Sequence, residues 1–264
     1  MMKLIKNCNL WTMAEENNIT ADILIEGSKI KAIGTFNEQD YPEAIIIDAK
    51  NQFVMPGIVD PHCHIGIDQS TIGWAGNDTN EITNPITPEL KGIDGIKACD
   101  EAFETALKGG VTTVCTGPGS ANIIGGTFCA LKTFGKTVED KCMVAELAMK
   151  MALGENPKRC YQDKNIKTRM ASAAILRDAL TQAKMYKETW DKYEKDIQEG
   201  KDVNKPAYNA KWHSLKRVFE GMLVKIHAHQ EDDILTACRI SKEFGINSTI
   251  DHCTSGWTIP EKLK

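Results

Sequence analysis

The chain has 264 residues, a formal net charge of −4, 42% apolar residues and 26% charged residues. That size suits one barrel-sized domain or two smaller ones, and the balance is ordinary for a soluble globular protein. With no Lys/Arg-rich run, no apolar signal core in Met1 to Asn7 and no stretch near the ~18–20 apolar residues of a spanning helix, neither nucleic acid nor membrane is expected as a partner.

Residues 1–53 read as short strands joined by polar turns. Ile23-Leu24-Ile25 runs into the turn Glu26-Gly27-Ser28, Lys29 to Gly34 makes a second strand, and Ala44 to Asp48 a third. Such a module is too small to bury a core alone and is expected to rest on the rest of the chain. From residue 54 to 264 the pattern changes to strands separated by helices. Val54 to Val59 is an apolar β-type run that ends in Asp60-Pro61-His62-Cys63-His64. Strand side chains alternate faces, so His62 and His64 project to one side and form a starting pair for a divalent ion. An HxH pair by itself is more often two half-buried histidines than a metal site.

Glu101 to Leu107 reads as a helix stopped by Gly109-Gly110, and Val111 to Cys115 as a buried strand. The glycine-rich stretch from Gly117 to Gly126 leads into Thr127 to Leu131; a plain loop is the commoner meaning, a ligand-facing one the alternative. It lacks the spacings of a nucleotide site. Met143 to Met151 reads as a strand carrying Lys150 near its end. Next comes a polar helical insertion, at about 154–220. In it Leu176, Leu180, Ala183, Tyr186, Trp190, Tyr193 and Ile197 recur at three- and four-residue steps, the apolar face of a long helix. His213 lies in this region and reads as an exposed histidine without partners. Gly221 to His227 and Ile246 to His252 are strand-like and both end in histidine, with a helix from Asp232 to Phe244 between them. Alternating strands and helices predict a parallel sheet, and polar residues gathered at strand ends predict a barrel with its site at one mouth.

Four of the six histidines, His62, His64, His227 and His252, thus stand at the ends of three predicted strands. Scattered core histidines have no reason to choose strand ends repeatedly, so the set points to a metal centre. His229 stands after His227 at the same HxH spacing, where the backbone is already turning; His227 is taken as ligand and His229 as a contact to substrate or a support behind a ligand, with the adjacent Gln230 as a substrate contact. The nine cysteines are odd in number and free of CxxC spacing, which favours reduced thiols and a cytoplasmic location.

The segment Pro56 to His64, the preceding β module, the run Gly109-Gly110-Val111-Thr112-Thr113 and the two later strand-end histidines together resemble the metal-dependent amidohydrolase superfamily. The flavour is that of the branch of imidazolonepropionases and prolidase-like dipeptidases. The resemblance implies an α/β fold: an incomplete (β/α)8 TIM-type barrel of about six strands over 54–264, after an incomplete β-sandwich-like module over 1–53. It implies that His62 and His64 hold a first metal, that His227 and His252 hold a second where there is one, and that Lys150 is placed to bridge two metals as a carbamylated lysine. Zinc is the expected ion, one or two per chain, with manganese or iron as alternatives. The implied reaction is hydrolysis of an amide or cyclic amidine C–N bond in a small molecule. A metal with an open position acidifies water to a pKa of roughly 7 and polarises the carbon under attack. Homo-oligomers are common among such proteins.

Two departures matter. The superfamily's aspartate after an eighth strand, ligand and general acid/base, has no counterpart before Lys264, so no catalytic residue is assigned and the chain reads as C-terminally truncated. Asp60 and Asp251 do not occupy that position; Asp60 is expected beneath the site. The glutamate that deaminase and imidazolonepropionase-type members carry three residues after the fifth-strand histidine is replaced by Gln230, with Glu231 one step later, which weakens ring-deamination and imidazolone readings and leaves amide, dipeptide or N-acyl hydrolysis ahead. A non-catalytic barrel serving as a binding or oligomerisation scaffold is the alternative. A structural zinc site is disfavoured, since those use cysteine-rich shells and alternation turns Cys63 and Cys253 away.

Overall fold

A computed structural model describes every residue except 70, 71, 165 and 264. The chain divides into two compact units, Met1–Ile58 and a larger one from Val59 onward. In the first unit, β1 (Met2–Leu10), β2 (Ile19–Glu26), β3 (Lys29–Gly34), β4 (Ile45–Asp48) and β5 (Phe53–Val54) form one sheet in the order β3-β2-β1-β4, with β5 also on β1. The central strand β1 is hard to read from sequence because its alternation breaks. A register shift falls between Ile5 and Cys8, and Asn7 adopts a left-handed φ of 56°. Leu4, Cys8 and Leu10 are nevertheless buried, with Ile23 and Leu24 of β2.

The second unit is built on a nearly closed, six-stranded barrel sheet. Its elements are β6 (Ile58–Cys63), α1 (Glu101–Lys108), β7 (Val111–Thr116), β8 (Ile124–Lys132), α2 (Val138–Lys141), β9 (Cys142–Ala152), α3 (Glu155–Cys160), α4 (Arg169–Gln198), α5 (Ala210–Leu215), β10 (Leu223–Ala228), α6 (Glu231–Phe244) and β11 (Ser248–His252). The strands keep their sequence order across the sheet, from β6 to β11. They are not all parallel, as the sequence pattern predicts. β8 runs antiparallel to both β7 and β9, while β9, β10 and β11 are mutually parallel. The cause is connection length: residues 117–123 and 133–141 are too short for the dozen-residue crossover that a parallel step requires.

Helix limits reflect local chemistry. Asp100 caps α1 by accepting from the Ala102 amide at 2.8 Å, Thr168 caps α4 by accepting from Ala171 at 3.1 Å, and Gly245 closes α6 with φ 66°. The outward residues of β9 and β10, Met149, Met151, Val224 and Ile226, pack against Leu176, Ala179, Leu180 and Ala183 of α4 and Ala237 and Ile240 of α6. Each such buried aliphatic chain stabilises the fold by about 1.5–3 kcal/mol. Only the first half of the α4 stripe is core; farther along, Ile197 is exposed. His213 is exposed, but its ring packs 5.2 Å from Tyr208 and 6.4 Å from Tyr186, so the expectation of a partnerless histidine does not hold. No helix among the described residues is long and apolar enough to cross a membrane.

Candidate metal centre

Alternation sends the odd-numbered and even-numbered residues of β10 to opposite sides. Val224 and Ile226 face the helices, so Lys225 and His227 face the barrel interior. Register carries the same division to its neighbours: Lys150 of β9 lies beside Lys225, and Asp251 of β11 lies beside His227. All four are buried. Into this interior β6 sends His62, whose ring stacks on the fully buried Phe128 at 5.3 Å.

Five imidazoles converge here. Ring centroids step from His64 to His62 (5.3 Å), His62 to His252 (5.1 Å), His252 to His227 (4.7 Å) and His227 to His229 (4.5 Å). The four strand-end histidines singled out from sequence are thus brought together, and His229 joins them. Donor nitrogens of His227, His229 and His252 all lie within 4.8 Å of one another, a trio that could hold a metal ion. His229 is therefore as well placed for a cation as for a substrate. The backbone helps aim the trio: His252 and Cys253 adopt left-handed φ values of 67° and 48°, strain of order 1–3 kcal/mol that non-glycine residues carry where the surroundings enforce it.

Hydrogen bonds fix several rings. His64 donates from Nδ1 to the Gly117 carbonyl at 2.7 Å, which leaves Nε2 with its lone pair. Gly117 has no room for a side chain, since an added Cβ would lie 2.5 Å from the Phe128 ring. Asn156 of α3 donates its amide to His227 Nε2 at 3.1 Å, so Nδ1 carries the proton and meets Ser120 Oγ at 2.8 Å. The glycine-rich stretch therefore does face the site, through the Gly117 carbonyl and Ser120. His229 Nδ1 meets Thr254 Oγ1 at 2.7 Å. Neither buried ring nitrogen of His62 makes a well-aligned hydrogen bond among the described residues; its Nδ1 edge nevertheless lies 3.1 Å from Asp251 Oδ2, and its Nε2 faces no partner. A desolvated Nε2 of this kind suits a cation, and the all-imidazole donor set suits zinc and similar ions.

Asp251 is the site's charge hub. Its Oδ2 accepts from Lys150 Nζ at 2.7 Å and its Oδ1 accepts from Lys225 Nζ at 2.7 Å. Burial alone would raise its carboxyl pKa; contacts with His62, Lys150 and Lys225 outweigh that and hold it well below the usual carboxylate range. Burial pushes the Lys150 ammonium down while Asp251 pulls it back up. Lys225 and Asp251 are legible in principle, since each stands two residues or fewer from a strand-end histidine. Ser120 and Asn156 carry no such signal. Asp60 accepts from its neighbour's backbone, the His62 amide, at 3.0 Å, and Cys63 packs in an apolar cluster with its thiol toward the Cys115 carbonyl. Gln230 precedes α6 and lines a cavity of about 370 Å³ with His227, His229, Asp233 and Thr254.

Three of the rings, His64, His227 and His252, are held below the ordinary imidazole range. Burial, the Lys150 charge and the neighbouring His229 and His252 push His227 down to about 3. Burial also lowers His64, against the Gly117 carbonyl, and lowers His252, helped by His62. In the unfolded chain these rings titrate near 6.5. Between about pH 6.5 and 3 the unfolded chain therefore binds more protons, and metal-free protein is expected to lose stability as pH falls through that window. The slope is at most about 1.4 kcal/mol per pH unit for each such ring. Urea midpoints measured from pH 7.5 to 4.5 check this; a flat profile contradicts it. Asp251 adds nothing to that slope above about pH 4: its stabilisation is fully present there and is lost only as pH falls through and below the ordinary carboxylate range.

Comparison with known proteins gives a consistent picture. No protein-family model matches the chain. A crystal structure of an amidohydrolase from Thermotoga maritima MSB8 superposes with a TM-score of 0.89 at 37% sequence identity, over 98% of this chain and 67% of that one. Amidohydrolase tasK of Hapsidospora irregularis is 30% identical over 263 residues, 92% of this chain and 27% of that protein. A dihydroorotase of Elusimicrobium minutum is 37% identical over 118 residues, 45% of this chain and 22% of that protein. The chain thus spans about a quarter of the length of these two curated relatives.

Proposed function

The chain belongs to the amidohydrolase family, and on that premise we propose that it is a metal-dependent hydrolase of C–N bonds in small amides, with N-acyl amino acids and dipeptides ahead of rings to be deaminated. The observation that carries the reading is the run of five imidazoles at and just beyond the ends of β6, β10 and β11, with spacings of 4.5 to 5.3 Å and a buried, unpartnered Nε2 on His62. His62 and His64 are assigned to one ion. His227 and His252 are assigned to a second where there is one, with His229 as a further donor. Zinc fits this donor set, and manganese or iron are alternatives. When bound, such an ion supplies an acidified water and an electrophile for the carbon under attack.

The chain's own residues do the rest. His64, held by the Gly117 carbonyl, and His227, held by Ser120, keep fixed tautomers and orientations. Asn156 occupies His227 Nε2 and has to yield that atom to a ligand. Lys150 is the residue assigned to bridge two ions if carbamylated. Gln230, in the adjoining cavity, offers an amide in place of a carboxylate, which supports amide over amidine substrates. Kinship with imidazolonepropionases or prolidase-like dipeptidases is part of this proposal.

Elemental analysis of the purified chain, before and after dialysis against zinc, tests the reading. About one or two equivalents of divalent metal are expected, with hydrolysis in a screen of N-acyl amino acids and Xaa-Pro dipeptides. A folded chain that takes up none would leave the barrel as a binding or oligomerisation scaffold.

A further inference from the structure

The metal assignment gives work to His62 and Lys150 but none to Lys225. This lysine lies on the inward face of β10, two residues before His227 and in register with Lys150 of β9. Its side chain is 9% exposed and that of Lys150 is fully buried. Two neighbouring ammoniums away from water are unfavourable unless a carboxylate compensates them. Asp251 does so with both oxygens, Oδ1 to Lys225 and Oδ2 to Lys150, each at 2.7 Å, and the same Oδ2 lies 3.1 Å from His62 Nδ1. One carboxylate thereby ties together β6, β9, β10 and β11. The tie matters because β6 and β11 are the two ends of the sheet's strand order. Side chains connect there, at Asp251 and at the His62–His252 ring contact.

We propose that Lys225, acting through Asp251, is a positioning residue that sets His62 for a divalent cation. A carboxylate held by one ammonium can rotate about its own bond; a second ammonium on the other oxygen fixes its plane. With Lys225 on Oδ1, Oδ2 stays between Lys150 and the Nδ1 edge of His62, and His62 Nε2 is left as the donor atom. A carboxylate behind an imidazole also makes that ring a stronger ligand. The inference rests on the metal reading of the five-histidine site.

Equilibrium dialysis with zinc, with elemental analysis of the dialysed protein, tests it on the intact chain and on K225M, K225R and D251N. K225M and D251N are expected to bind zinc about 10–100-fold more weakly while remaining folded by circular dichroism, as removal of an outer partner of a ligand does. K225R keeps the charge and is expected to fall between K225M and the parent. A purely structural lysine would lower the melting temperature and leave zinc affinity of the folded protein unchanged. Should a single variant fail to fold, the double variant K225M/D251N restores the interior net charge. It is expected to bind zinc about as weakly as one single variant and clearly less weakly than the summed losses, because the two residues act as one unit. Wild-type affinity in folded K225M and in the double variant overturns the inference alone. A wild-type chain that binds no zinc overturns the metal reading, and the inference with it.

Discussion

Replacement of His62 or of His227 by alanine is expected to remove metal binding and hydrolysis together. Each ring comes from a different strand, and the chain of contacts from His64 to His229 passes through His62, His252 and His227 in turn. Loss of a residue that merely orients a ligand costs roughly 10–100-fold in affinity, so loss of a ligand should exceed about 100-fold. His62 stacks on Phe128 and meets Asp251 and His252 where β6 faces β11, so its removal should also lower stability. The absence of His227 frees Ser120 and Asn156, and a modest loss of stability should likewise accompany the loss of metal. His213→Ala is the control, since that ring is exposed and packs on Tyr208 instead. Zinc uptake by dialysis and hydrolysis of the best substrate give the two readouts. Undiminished uptake in either His62→Ala or His227→Ala would remove the assignment of that ring.

The largest stability effect is expected at Phe128. Its side chain is fully buried on β8, and three parts of the site meet it. His62 stacks on the ring with an interplanar angle of 24°, the Lys150 and Lys225 ammoniums stand 5.6 and 5.7 Å from its centroid, and Gly117 leaves space for it by having no side chain. Phe128→Ala removes the apolar transfer energy of the ring and leaves a cavity that a closely packed barrel interior cannot fill, at a cost of about 3–5 kcal/mol. It also removes the surface against which His62 is oriented, so weaker zinc binding should accompany the loss. Urea unfolding with an unchanged m-value and a lowered midpoint is the expected signature. A cost below about 1 kcal/mol would mean that the interior collapses around the vacancy, contrary to the packing argument.

How much of this is legible in the sequence depends on the range of the physics involved. The strands ending at His62, His227 and His252, the helices stopped by Gly109 and Gly245, and the inward direction shared by His62 and His64 are local consequences of side-chain alternation and turn chemistry. They survive intact in the structure. β1 is hidden because a bulge at Asn7 breaks its alternation. β8 runs opposite to the expected direction because the parallel pattern does not extend over connections too short to support it.

The sequence by itself therefore determined which histidines face one side of which strand, and with them the kind of chemistry the interior can hold. Only the tertiary structure decided the company those rings keep. Lys150 meets Asp251 across 101 residues and Ser120 meets His227 across 107. Such pairings depend on strand order and register, which are set by how the sheet closes, and periodicity along one strand contains no record of its neighbours. His229 joined the trio for a related reason: the left-handed turn at His252 brings that ring back over it, 5.0 Å away, and a turn at that place is not recorded in the alternation of the strand before it.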